Sequence, residues 1–91
     1  MSAPTGKDVW DAVVKSDLEY KARLILLTLI NPVDLFTSVQ MSERALAAVT
    51  GFSRSTVWNR LHKLEGLGWL QAERLTSGAT IWLLRIPGGA R

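Results

Sequence analysis

The sequence predicts a small α+β domain, mainly helical, and three observations carry that prediction. Residues 42–65 hold two short runs of helical apolar spacing on either side of Gly51. Residues 67–86 change to β-branched and aromatic residues interrupted by a Ser-Gly pair, which is the signal of a β-hairpin. Upstream, residues 18–30 repeat apolar side chains at helical intervals behind a capping signal. The expected architecture is a three-helix core with a C-terminal hairpin and one extra short N-terminal helix.

Composition narrows the function classes. Ninety-one residues suffice for one small domain with a real core. The absence of cysteine removes disulfides and thiolate metal sites, and a lone His62 argues against a histidine metal site or catalytic dyad. No cofactor or metal is expected, and the scattered carboxylates offer no paired acid and base, so an enzyme is not expected either. Apolar runs fall far short of the ~20 residues a membrane span needs, and the start MSAPTGKDVWD lacks the features of a signal peptide. A cytoplasmic setting is the expectation. Net charge is only +3, but its distribution is uneven. Residues 1–34 carry four cations against five carboxylates, a net of −1, and residues 35–91 carry seven against three, a net of +4. Positive charge thus gathers in the second half, as a nucleic-acid face requires.

In chain order, residues 1–6 have no periodicity and are expected to fray. Val9, Trp10, Val13 and Val14 predict a short amphipathic helix over residues 7–15, whose Trp10 face must dock on this domain or on a second copy. Ser16 and Glu19 fit a capping box for the next helix, which runs to about Ile30. Leu18, Ala22, Ile25, Leu26 and Leu29 form its core stripe. Tyr20, Leu24, Leu27 and Ile30 form a second stripe, to be covered by the Trp10 helix, by a partner subunit or by both. Asn31-Pro32 stops this helix, and Val39 to Met41 suit a short strand.

The central stretch begins with Ser42, a suitable cap for a helix over residues 43–49 with Ala45, Leu46 and Val49 on its apolar face. Gly51 suits a left-handed helix end, and Ser53 is placed to cap a helix over residues 54–65 that Gly66 and Gly68 terminate. This is a helix-turn-helix pattern. Val57, Leu61 and Leu64 make a narrow buried stripe; opposite them fall Ser55, Thr56, Asn59, His62 and Lys63, with Arg54 at the start and Trp58 and Arg60 on the flanks. Residues 54–63 contain cations and no carboxylate, a face suited to base edges beside phosphates, though a plain solvated face would share this pattern. In the hairpin, Trp82, Leu84 and Ile86 share one face, with Ile81, Leu83 and Arg85 on the other, and Pro87 ends the strand. The tip, residues 74–80, offers Arg74 and Ser77 to a minor groove or to phosphates, unless the hairpin only closes the core.

The run LAAVTGFSRSTVWNRLHKLEGLGWL, residues 46–70, followed by the hairpin, resembles the winged helix-turn-helix DNA-binding proteins of bacteria, phages and plasmids. The resemblance spans roughly residues 17–86. It implies an N-terminal arm and short helix over 1–16, a winged helix-turn-helix domain over 17–87 and a loose tail over 88–91. It also implies that the 54–65 helix lies in the major groove, with Arg54, Ser55, Thr56, Asn59 and Lys63 as contacts. Trp58 departs from the small or polar residue commoner at its position, and would pack on the 18–30 helix, stack on a sugar or touch a thymine methyl. His62 would donate to phosphate or play no role.

The expected function is sequence-specific recognition of double-stranded DNA, with Ser53 and Arg60 completing the contact set. A homodimer is expected, because one short helix reads few base pairs; the Trp10 helix with the Tyr20, Leu24 and Leu27 stripe is its candidate surface. Transcription regulation is the leading use, with plasmid or phage replication or partition as the alternative. A protein-assembly module is the reading from another class, using Trp58 and Trp82 as exposed anchors.

Overall fold

Each helix starts where a side-chain oxygen is available to take an orphan first-turn N–H. The computed structural model describes residues 4–30, 38–77 and 79–88. It contains α1 (Gly6–Lys15), α2 (Tyr20–Leu29), β1 (Ser38–Gln40), α3 (Glu43–Thr50), α4 (Arg54–Leu67), β2 (Leu70–Arg74) and β3 (Thr80–Leu84). Among the described residues this is a small, mainly helical α+β arrangement of four helices and one antiparallel sheet. Among the described residues no helix is long and apolar enough to cross a membrane.

The first helix begins earlier than its apolar spacing suggested. Thr5 accepts the Asp8 N–H at 3.3 Å while the Asp8 carboxylate accepts the Thr5 N–H at 3.0 Å, a reciprocal box that orders residues 5 and 6 instead of letting them fray. Val9 and Val13 are fully buried and Trp10 packs at the edge of the core, so α1 docks on its own domain.

The capping box expected at Ser16 does not form. Ser16 closes α1 instead, its hydroxyl donating to the Val13 carbonyl at 2.6 Å, and Glu19 alone caps α2 by accepting the Ala22 N–H at 3.2 Å. The Arg23 guanidinium holds the intervening turn by donating to the Ser16 and Leu18 carbonyls at 3.0 and 3.1 Å. Of the two stripes on α2, the first is buried through Ala22, Ile25, Leu26 and Leu29. From the second, Ile30 is buried, Leu27 is half-buried, and Tyr20 and Leu24 stay exposed. The Asn31-Pro32 stop lies outside the described residues.

In α3, Ser42 caps by accepting the Ala45 N–H at 3.0 Å, and Gly51 ends the helix with φ +78°. Leu46 is buried, but Val49, expected on the same apolar face, is 67% exposed. Ser53 then accepts the Thr56 N–H at 3.1 Å and starts α4. That helix passes through Gly66 to Leu67, two residues beyond the expected end at residue 65; of the two glycines expected to terminate it, Gly68, at φ +93°, does so and Gly66 does not. Val57, Leu61 and Leu64 are buried as their spacing requires.

The sheet has the order β1-β3-β2, both pairings antiparallel. The β1 strand sits one residue earlier than its composition suggested and pairs Val39 with Trp82; β2 pairs Ala72 with the other edge of Trp82. Leu67, read as the start of the hairpin, belongs to α4, and β3 stops at Leu84 before the expected end at Pro87. Trp82 and Leu84 face the core, and the Trp82 indole donates to the Met41 carbonyl at 2.9 Å. Burying such side chains contributes roughly 1.5–3 kcal/mol each, which fixes the hairpin against α4.

Candidate nucleic-acid interface

Because α4 buries only the Val57, Leu61 and Leu64 stripe, its remaining surface is free to present polar groups. Arg54, Ser55, Asn59, His62 and Lys63 are exposed there. Thr56 is half-buried, and its hydroxyl is tied to Ser53 at 3.0 Å, so both hydroxyls serve the start of the helix. Trp58 is 50% exposed and does not bury itself against α2; its ring stacks on His62 with centroids 4.0 Å apart and planes 34° apart.

Arg60 stands apart from the other cations. Its Nε is ion-paired with Glu19 of α2, on the flank of α4. The hydrogen bond from Arg60 holds the Glu19 carboxyl below the usual range; partial desolvation opposes the shift, and the positive charges of Arg60 and Lys63 add to it. The carboxylate-free stretch of the sequence therefore acquires a carboxylate in space, at the edge nearest Lys63.

On another side, an open groove of about 840 Å³ runs between the start of α3, the start of α4 and the hairpin. Arg54 and Arg74 both line it, and so does Arg44 of α3. Among the described residues the only carboxylate lining it is Glu43. Arg44 was not among the candidates from sequence: its charge was visible, but nothing local links it to residues ten and thirty positions on. Ser77 is exposed in the turn at the hairpin tip, where the Leu75 N–H donates to the Ala79 carbonyl at 2.9 Å and closes the loop. The structure thus joins Arg54 and Arg74 through the groove, and sets Arg60 on a different flank.

No protein-family model matches the sequence, and no curated protein matches it.

Trp82 is 3% exposed and hydrogen-bonded, so it offers nothing to a partner as an exposed anchor. Trp10 and Leu27 pack at the edge of the core, which leaves Tyr20, 66% exposed, and Leu24 as the open part of the second α2 stripe. Tyr20 meets Phe52 edge to face at 6.3 Å, and Lys21 lies 5.7 Å from the Phe52 ring centre.

Proposed function

We propose that this protein is a winged helix-turn-helix DNA-binding protein that recognises a specific duplex site. In this reading α4 enters the major groove with Arg54, Ser55, Asn59, His62 and Lys63, and the β2–β3 hairpin is the wing, bringing Arg74 and Ser77 to the backbone or minor groove. The observation that carries it is the convergence of Arg44, Arg54 and Arg74 on one groove beside the polar face of α4. Three guanidiniums drawn from α3, α4 and β2 suit consecutive phosphates, while Asn59 and His62 suit base edges. Glycine at the α3–α4 turn and caps at both helix starts support the helix-turn-helix reading.

Specificity argues for a homodimer, because one helix of this length covers too few base pairs for useful discrimination. The exposed Tyr20 and Leu24 face is the proposed contact between copies. Regulation of transcription is the proposed use, with replication or partition of a plasmid or phage as the alternative within the same chemistry.

The test is a titration of the purified protein with random duplex DNA at low and then physiological salt, followed by sequencing of what is retained. An enriched palindrome is expected, its half-site spacing giving the dimer geometry. No retention at low salt would overturn the reading and leave Trp58, Tyr20 and Leu24 as surface for a protein partner.

A further inference from the structure

The His62 ring is held at two points. Its Nδ1 lies 2.9 Å from the Trp58 carbonyl oxygen, and its face stacks on the Trp58 indole with centroids 4.0 Å apart. A carbonyl oxygen can only accept, so Nδ1 carries the proton and donates. In the neutral ring Nε2 is then the bare nitrogen, an acceptor with no proton to give. His62 is exposed, on the same side of α4 as Ser55 and Asn59, so Nε2 is the one ring nitrogen left for a ligand.

From this geometry we infer that His62 determines specificity as a fixed acceptor for the exocyclic amine of adenine or cytosine in the major groove. The inference rests on the DNA-binding reading above. The chemistry decides between ligands. Adenine N6 and cytosine N4 are the donors that base pairs show in that groove; guanine O6 and N7, thymine O4 and phosphate oxygens only accept. A neutral ring with its proton committed to the Trp58 carbonyl therefore matches the two amines and opposes phosphate. The stack supplies the second requirement, since a ring already fixed in place loses little side-chain freedom on binding. Trp58 is by this argument a positioning residue: its carbonyl sets the tautomer and its indole sets the plane. This accounts for a large aromatic residue left half-exposed on the flank of the polar face.

Two measurements test it. In the free protein at about pH 8, nitrogen NMR of the neutral His62 ring is expected to show a protonated Nδ1 and a bare Nε2. The opposite tautomer would overturn the inference without touching the DNA-binding reading. At the same pH, selection from random duplex DNA is compared for the wild type, His62→Ala and His62→Lys. The wild type is expected to enrich adenine or cytosine at one position. His62→Ala should lose that preference about tenfold, the size of one lost base contact, while keeping the others. His62→Lys, which can only donate, should move the same position toward guanine. Trp58→Leu, which keeps the carbonyl and removes the stack, should weaken the preference at that position alone. An unchanged profile for His62→Ala would overturn the inference while the proposed function stood; retention of no duplex by the wild type would overturn both. Near-ultraviolet circular dichroism checks that each variant keeps its fold.

Discussion

The Glu19 carboxylate joins two helices, because the same oxygen that caps α2 by accepting the Ala22 N–H also takes the Nε of Arg60 on α4. The orientation of α4 against α2 is thus set partly by an ion pair. The pair is partly exposed, so it contributes less than about 1 kcal/mol. Its pH dependence has a definite sign. The folded state holds Glu19 below its unfolded value, so the stabilisation is present above the ordinary glutamate range and is lost as pH falls through the folded value. Glu19→Gln keeps an oxygen for the cap and removes the charge. Its denaturation midpoint should lie slightly below wild type at neutral pH, and the two should converge in acid. A gap that stayed constant with pH would assign the effect to the cap.

Two glycines in the same motif should respond in opposite directions to alanine. Gly51 has φ +78° with open space around it, so Gly51→Ala suffers only the backbone penalty, about 1 kcal/mol, and should lower the Tm. Gly66 lies inside α4, also in open space, and Gly66→Ala should raise stability by up to about 1 kcal/mol. Thermal melts of the two variants check both signs.

The arginine groove makes a prediction about salt. Arg44→Ala, Arg54→Ala and Arg74→Ala should each weaken binding to all duplexes and reduce the slope of log affinity against log salt by about one. Arg60→Ala should leave that slope almost unchanged, because Glu19 already neutralises this guanidinium. Asn59→Ala should instead flatten the preference among sites. If all three groove variants kept the wild-type slope, the groove would lie outside the interface.

Replacing the Trp82 indole tests the seam between sheet and helices. Trp82→Phe removes the donor to the Met41 carbonyl and leaves a void beside a nearly sealed core, at an expected cost of about 2 kcal/mol. Urea denaturation should show a lower midpoint with an unchanged slope.

The features legible in the sequence are those that short-range interactions determine. The caps at Ser42 and Ser53, the left-handed Gly51 and the buried Val57, Leu61 and Leu64 depend on neighbours within a few residues, and each stands where its pattern put it. Ser16 misled because a serine three positions before a glutamate satisfies a capping pattern, while Arg23 holds the turn open and leaves the serine to close the preceding helix. Gly66 misled because one glycine is tolerated inside a helix; the Glu65 carboxylate also reaches forward to the Ala72 N–H at 3.4 Å. The role of Arg44 and the pairing of Arg60 were illegible for a different reason. Both depend on which side of α4 faces α2, α3 and the hairpin, and no periodicity within one helix encodes that.

The strand order β1-β3-β2 places the last strand of the chain in the middle of the sheet. Val39 must wait for Trp82, 43 residues later, before either edge of the sheet has a partner. The helices close through shorter loops, and such local contacts form before distant ones because less chain entropy is lost in making them. During synthesis from the N-terminus, β1 and β2 therefore emerge as two unpaired ribbons. The residues from Thr80 to Leu84 act as a late zip, and until they arrive β1 has no strand to pair with.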